Sequence, residues 1–449
     1  MKICVIGGGY VGLTTGACLA YVGHKVGIVE NNLEKLAVLR SGDLPIYEPG
    51  LADIIRECRQ QITFLDALEG EWIESDLIII AVGTPAKDDG DADLTYLFSA
   101  VRDVIAKAEP NRFNTIAIKS TVPIGTNELL VQMFKDEIGK KNVSFVSTPE
   151  FLREGFALID TLYPDRIVVG SRNDRDADLI KEAYLPILTR SFRRPHFVVG
   201  NFDKDLPELI VTTPTSAEMV KYASNAFLAL KVSYINEMAM LCDKVGADIE
   251  HVAFGVGTDS RIGRSFLRPG IGWGGSCFPK DTSALLKTGE KHGQKLQIVE
   301  SAILVNNAVK EYFVSIIKDG LGGLQGKVIA LLGLSFKPNT DDVRDSPALD
   351  IAKRLLDEGA LVRATDPMAI KNAMKVLPAS DRLRYCADAY EAVTGADAIV
   401  IATEWPEWKN LDYGAVSELV RGMFIFDGRN ALDKKGLVEL GYRYKGVGS

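Results

Sequence analysis

Residues 2–6, Lys-Ile-Cys-Val-Ile, run directly into Gly7-Gly8-Gly9-Tyr10-Val11-Gly12. A helical pattern follows through Ala20, then a second apolar stretch, 24–29, that closes on Glu30. Few folds accept this order. An apolar strand has to end in a turn, and Gly7 and Gly9 permit both the turn and the close approach of a pyrophosphate to the positive end of the helix. Gly12 lets helix and strand pack, and Glu30 can bond both hydroxyls of a ribose. An acid there disfavours an extra 2′-phosphate, so the expected dinucleotide is NAD rather than NADP. A glycine-rich turn that binds nothing is the alternative, but strand, helix and acid in register argue against it. The same stretch imitates a secretory leader; its glycines and closing acid instead suggest strand, turn, helix and strand.

Further apolar runs end in polar clusters. Residues 76–82 lead to Gly83-Thr84-Pro85, 116–118 to Lys119-Ser120-Thr121-Val122-Pro123, and 144–147 to Thr148-Pro149-Glu150-Phe151-Leu152-Arg153-Glu154-Gly155. In open α/β sheets ligands collect at strand carboxyl ends, and all three clusters fall there. Glu150 and Glu154 have the spacing of one helix face, either as paired acids or as a solvated helix start. A strand at 166–170 and an edge strand at 197–199 are expected to close the first domain near residue 200. Residues 216–246 read as one helix about 45 Å long, joining domains and carrying Lys221 and Asn225 on one face.

Beyond it lies 272–281, Gly-Trp-Gly-Gly-Ser-Cys-Phe-Pro-Lys-Asp. Asp281 falls one turn after Cys277 if a helix begins at the cysteine. That suits a thiol nucleophile with a carboxylate in reach, its glycines clearing room for a ligand. A tight turn with the cysteine as small filler would look the same.

After Gly326 the chain repeats itself. A strand at 327–332, a helix at 348–358 and a strand at 361–364 lead to Asp366, seven residues after Gly359, as Glu30 follows Gly23 by seven. Residues 397–406 match 76–85 in pattern. A second Rossmann-like unit is expected, but its first turn lacks the glycine fingerprint and must hold something else. Lys337, Arg344 and Arg429 stand near its strand ends, either as anion ligands or as ordinary surface charge. The fold class is therefore α/β: two Rossmann-like doubly wound domains joined by a central long helix and helical domain, with boundaries at 1–200, 201–315 and 316–449.

With 60 acidic and 52 basic residues the chain carries a net charge of −8, which argues against a nucleic-acid or membrane-surface binder. Six scattered cysteines and four dispersed histidines show neither disulfide nor metal-ligand spacing, so no metal is expected and a cytoplasmic location is. No other run of about 18 apolar residues suggests a membrane span. An NAD site with a nucleophilic cysteine points to oxidation of an aldehyde, since a thiohemiacetal can surrender a second hydride.

In these motifs, and in Lys-Tyr-Ala-Ser-Asn-Ala-Phe, Asp-Ser-Arg-Ile-Gly, Phe-Lys-Pro-Asn-Thr-Asp-Asp-Val-Arg and Asp-Gly-Arg-Asn, the chain resembles the UDP-glucose/GDP-mannose dehydrogenase family from Met1 to about Tyr444. The resemblance is to its UDP-glucose branch. It implies a four-electron oxidation at C6 of UDP-glucose, with two NAD⁺ used in succession. Cys277 would capture the aldehyde and pass through a thioester; Lys221 would stabilise the oxyanion, supported by Asn225. Asp281 would hold the hydrolytic water, with Thr121, Glu150 and Glu154 as acid–base companions. Phe151, Leu152, Arg268, Gly274, Lys337 and Arg429 would grip the UDP-sugar alongside Glu150, Lys221 and Asn225. Gly7, Gly9, Tyr10, Val11, Gly12, Glu30, Lys35, Thr84, Thr121, Glu154, Lys280 and Arg344 fall on the NAD side. Arg261 would reach a neighbouring subunit's substrate, implying a homodimer or larger assembly. Glu30 stands for the usual aspartate, Thr148 for asparagine, Trp273 for phenylalanine and Arg268 for lysine; none removes a catalytic group.

The nearest rival is the same chemistry on GDP-mannose or a UDP-N-acetylhexosamine. A sensor that binds nucleotides without turnover leaves Cys277, Lys221 and Asp281 without purpose. A Rossmann methyltransferase leaves the second half and the cysteine motif unexplained.

Overall fold

The computed structural model describes residues 1–87, 90–198 and 205–449. Eight strands form a first sheet: β1 (Lys2–Ile6), β2 (Lys25–Val29), β3 (Ile62–Leu65), β4 (Leu77–Ile80), β5 (Asn114–Ile118), β6 (Val143–Ser147), β7 (Arg166–Gly170) and β8 (Glu208–Thr212). Six more form a second: β9 (Val328–Leu332), β10 (Leu361–Thr365), β11 (Leu383–Tyr385), β12 (Ala398–Ile401), β13 (Phe424–Asp427) and β14 (Arg443–Gly446). The orders are β3-β2-β1-β4-β5-β6-β7-β8 and β11-β10-β9-β12-β13-β14. The first six strands of each sheet thus share the doubly wound order 3-2-1-4-5-6. All pairings are parallel except that of β6 with β7.

Side-chain alternation explains why both faces of these sheets are covered. Along β1, Ile3 and Val5 enter one apolar cluster while Cys4 and Ile6 enter another. Along β9, Ile329 and Leu331 face one cluster and Val328, Ala330 and Leu332 the other. A parallel sheet buried on both sides needs this uninterrupted apolar run, and each fully buried Ile or Leu contributes about 1.5–3 kcal/mol.

Register then levels the strand ends. Ile6 lies opposite Val29 of β2 and Ile80 of β4. Ile80 in turn lies opposite Ile118, which pairs with Ser147. The glycine loop, Glu30, Thr84, Thr121 and the 148–155 stretch therefore emerge along one edge of the first sheet.

The chain divides into two compact units, Met1–Ser224 and Asn225–Ser449. The helix Pro214–Val245 runs through the division, close to the predicted 216–246. Ser216 N–H donates to Thr213 Oγ1 (3.2 Å), Pro214 suits the first helical position, and Gly246 (φ +76°) follows its end. The edge strand expected at 197–199 is not found at Phe197 and Val198, where Val198 N–H closes a turn on Pro195 (3.1 Å). Val199 lies outside the described residues, and the sheet's last strand is β8.

The repeat after Gly326 is a structural one, with an instructive difference. Asp366, at the end of β10, is buried and fully engaged. Its Oδ2 accepts from Leu334 N–H (2.7 Å), Ser335 N–H (3.0 Å) and Trp405 Nε1–H (3.1 Å), and its Oδ1 from Ala369 N–H (2.8 Å). The acid that could clamp a ribose in the first unit here ties three loops of the second. Asp366→Ala is expected to lower unfolding stability by about 2–4 kcal/mol, since several buried donors lose their acceptor; urea unfolding checks this.

Candidate active site

In the first unit the glycines do distinct things. Gly7 takes φ +115°, and a Cβ there would lie 2.6 Å from Ala81 O. A Cβ on Gly12 would stand 1.8 Å from Gly7 O, so Gly12 protects the loop itself as well as the helix packing. At Gly9 a Cβ would meet nothing within 4 Å, and Gly9 precedes the helix Tyr10–Tyr21 with no side chain capping it. An open glycine at an uncapped helix N-terminus is what an approaching pyrophosphate requires. Glu30 is buried at the end of β2 and accepts from Asn32 N–H (2.8 Å). Asn32 caps the next helix by accepting from Lys35 N–H (3.0 Å); Lys35 is exposed and Val11 half-buried. These residues fit NAD.

The neighbouring strand ends converge on Glu150. Thr84 Oγ1–H donates to Thr121 O (2.6 Å), and Thr121 Oγ1–H to Glu150 Oε1 (3.5 Å). Lys221, buried on the long helix, places Nζ 2.9 Å from Glu150 Oε1, while Leu152 N–H donates to Oε2 (2.5 Å). Burial alone would push the Glu150 carboxyl up; the Lys221 charge and the Leu152 amide more than offset it, holding it below the usual range. Phe151 stacks under Arg166, 4.0 Å from its ring centre, with Lys221 Nζ at 5.6 Å. A small cavity beside the pair is lined by Ser120, Thr121, Pro149, Glu218 and Lys221. Glu150 and Glu154 do not share a helix face: 148–153 is irregular and the helix begins only at Ala157–Leu162, after Gly155 (φ +79°). Glu154 is half-buried, and its charge helps raise the Tyr10 hydroxyl, for which burial does most.

Two buried acids here had no signature in the sequence reading. Glu218 accepts from Gly125 N–H (2.7 Å) and Asn127 N–H (2.9 Å), with burial pushing its carboxyl up. Its position three residues before Lys221, on the same helix face, was the available clue. Glu48 bonds the Tyr10 hydroxyl and accepts from Gly155 N–H (2.7 Å) and Ala157 N–H (2.7 Å). Burial raises its carboxyl despite those donors. Nothing in a Tyr-Glu-Pro-Gly loop announces such a role.

In the second unit Cys277 is the N-cap of the helix Phe278–Lys291, with Pro279 in its first turn. It is half-buried, whereas the other five cysteines are buried. Burial pushes Cys4 up to about 12 and Cys58 up to about 11, which makes them inert at neutral pH. Of the six cysteines, Cys277 is the one placed at a helix N-terminus, the end that favours negative charge. Its Sγ lies 3.5 Å from Ser276 Oγ. Asp281, buried one turn on, sends N–H to Cys277 O (2.8 Å). Its carboxylate accepts from Asn225 Nδ2 (2.6 Å) and Lys280 Nζ (2.7 Å).

The loop ahead of the cysteine is held by amides. Asn306 accepts from Trp273 N–H (2.8 Å) and donates to Trp273 O (3.0 Å); Trp273 Nε1–H reaches Ser233 (2.9 Å). The room made by the glycines is taken by the protein, not left for a ligand. A Cβ would fall 2.5 Å from Asn306 Oδ1 at Gly272, 2.0 Å from Asp345 O at Gly274 and 2.7 Å from the Phe336 ring at Gly275.

The cations of this unit divide. Arg429 is almost wholly engaged: Nε–H donates to Ala402 O (2.8 Å), Nη1–H to Gly272 O (3.0 Å) and Nη2–H to Phe336 O (3.3 Å), with Glu404 at 3.4 Å. Burial lowers the guanidinium's affinity for its proton. It ties the cysteine loop to the 336 loop, in place of the free anion ligand the sequence suggested. Arg261 and Arg344 are exposed and chelated by the acid two residues before each, Asp259 (2.6 Å) and Asp342 (2.7 Å). Arg268 is exposed, and Lys337 lies over the Phe336 ring at 5.3 Å. Among the described residues no group of histidine, cysteine or acid side chains could hold a metal ion, and no helix is long and apolar enough to cross a membrane.

Fold and site together define a Rossmann-type dinucleotide-binding protein with a second doubly wound unit and a half-buried cysteine at a helix N-terminus. Models of the UDP-glucose/GDP-mannose dehydrogenase family match it throughout: the NAD binding domain over residues 1–188, the central domain over 215–308 and the UDP binding domain over 330–434. The chain belongs to that family. It is 43% identical over 451 residues to the UDP-glucose 6-dehydrogenase TuaD of Bacillus subtilis, covering all of this chain and 93% of that one. With the UDP-glucose 6-dehydrogenase of Rhizobium meliloti it shares 41% over 454 residues, covering 100% and 99%. A solved UDP-glucose dehydrogenase from Pyrobaculum islandicum superposes with a TM-score of 0.87 at 38% identity, covering 100% and 97%.

Lys221→Ala would leave Glu150 buried without its cation, at a cost of about 3–5 kcal/mol at neutral pH. A carboxyl held low contributes stability that is present above its unfolded value and lost as pH falls through the folded one. The penalty of the substitution is therefore expected to shrink between pH 7 and pH 4; urea unfolding across that range checks it.

Proposed function

We propose that this chain catalyses the NAD-dependent, four-electron oxidation of UDP-glucose at C6 to UDP-glucuronate. The observation that carries this reading is Cys277: a half-buried thiol at a helix N-terminus, with Asp281 fixed one turn away by Asn225 and Lys280. An alcohol dehydrogenase has no use for a nucleophile; an enzyme that carries an aldehyde on to an acid does. The named activities of the full-length relatives support the same substrate.

NAD⁺, when bound, accepts a hydride in each of the two oxidations. The chain's own groups do the rest. As the C6 alcohol becomes an aldehyde, its hydroxyl proton leaves towards the Thr121–Glu150 pair. The Cys277 thiolate adds to the aldehyde carbon, forming a thiohemiacetal whose oxyanion Lys221 stabilises, with Asn225 in support. Loss of the second hydride leaves a thioester. Water held by Asp281, with Glu154 assisting, adds to the carbonyl and expels the Cys277 sulfur, giving the carboxylate. One water is consumed and two NADH are formed per UDP-glucuronate.

On this reading residues 1–200 bind NAD, 201–315 carry the cysteine and 316–449 hold the UDP-sugar, with Lys337 and Arg268 as the cations available to the diphosphate. Gly274 contributes through its backbone, and Arg344 exchanges Asp342 for the cofactor. Six free thiols are consistent with the cytoplasm. A homodimer is supported by one stripe of the long helix: Phe227, Tyr234 and Leu241, spaced by seven, are 61%, 47% and 51% exposed. Arg261, 87% exposed at its side chain, is free to extend towards a partner once it leaves Asp259.

Wild-type protein is expected to release two NADH per UDP-glucuronate, and Cys277→Ser to lose about a thousandfold or more in turnover. Wild-type-like turnover in that variant, or NADH release with GDP-mannose alone, would overturn the assignment. Tyr234→Glu combined with Leu241→Glu is expected to yield monomers by light scattering.

A further inference from the structure

Glu48 belongs to none of the groups that the reaction above employs. It is 5% exposed, in a loop between two helices, and its backbone is held in place by Leu51 N–H on Glu48 O (3.2 Å). Its carboxylate takes donors from two separate functional segments. One is the hydroxyl of Tyr10, the first residue of the glycine-loop helix. The others are Gly155 N–H and Ala157 N–H, directly after Glu154 and five to seven residues after Glu150. Gly155 N–H lies also 2.9 Å from the Tyr10 hydroxyl, so the three groups close a ring.

We infer that Glu48 is a positioning residue that locks the dinucleotide loop and the Glu150–Glu154 loop into one rigid piece. The inference rests on the reaction proposed above. A buried carboxylate stripped of donors is costly, so neither segment can shift without the other. A displacement of the 150–157 loop would pull on the Tyr10 ring, and with it on the first-turn amides that face a pyrophosphate. The order of the cofactor site is thereby coupled to that of the acid pair.

The test is a double-mutant cycle with Glu48→Gln and Tyr10→Phe in the full chain, reading NAD⁺ affinity by calorimetry and kcat with UDP-glucose. Each single substitution is expected to weaken NAD⁺ binding about tenfold and to lower kcat, and the double variant to be little worse than the poorer single one. A merely structural tie would lower the melting temperature and leave both quantities unchanged in the folded protein. That result, or effects that simply multiply in the double variant, would overturn the inference. If Glu48→Gln does not fold, Tyr10→Phe alone decides, since wild-type NAD⁺ affinity there is incompatible with the lock. Calorimetry reads binding whether or not turnover occurs; wild-type protein that binds NAD⁺ without oxidising UDP-glucose would count against the reaction, not the lock.

Discussion

The buried ion pair between Lys221 and Glu150 is the constraint on which the order of the first unit's strand-end loops depends. Both charges are withdrawn from water, 2.9 Å apart. A charge so placed has to be matched, and here each matches the other. The consequence is positional. A lysine on a long helix cannot wander, so the loop carrying Glu150 is fixed to that helix, and Thr121 and Thr84 follow through the chain of hydrogen bonds. Glu218, one turn earlier, performs the matching service for the 125–127 segment. One helix thus sets two loops, by two acids of different character: one held low by a cation, one raised by burial.

The two sheets show how one architecture is put to different ends. Both run in the same strand order, and both place an acid after the second strand. Glu30 has only one amide on its carboxylate among the hydrogen bonds described, whereas Asp366 is saturated by the loops around it. The loss of the glycine fingerprint after β9 accompanies this change. Once the first turn is lengthened, the acid serves to hold it.

The fold, and the local geometry of the candidate site, were largely legible in the sequence because they rest on local pattern. Uninterrupted apolar strands, a glycine loop in register with an acid, and a cysteine one turn before an aspartate are all short-range signals, and the structure places each where expected. What was not legible depends on long-range pairing. Glu48 meets residues more than a hundred positions away. The Glu150–Glu154 spacing suggested a helix, but 148–153 is irregular and Gly155 turns with φ +79°. Arg429 looked like a free cation because no sequence shows that three carbonyls surround it. The glycines ahead of Cys277 were read as clearing room for a ligand, whereas that room is filled from within the protein, by residues 306, 336 and 345.

The two chelated arginines bear on how an anionic ligand finds so acidic a protein. Asp259 with Arg261, and Asp342 with Arg344, are each locally neutral, with both guanidiniums exposed to solvent. Such pairs project little field beyond a few ångströms, and the chain as a whole carries −8. Attraction at a distance by these two pairs is therefore weak, and on the proposed reading an anionic ligand would gain either guanidinium only on arrival, by displacing its resident carboxylate. Capture by such a pair would be an exchange of partners rather than an electrostatic pull, and would favour ligands rigid enough to offer both oxygens at once over ions that are merely charged.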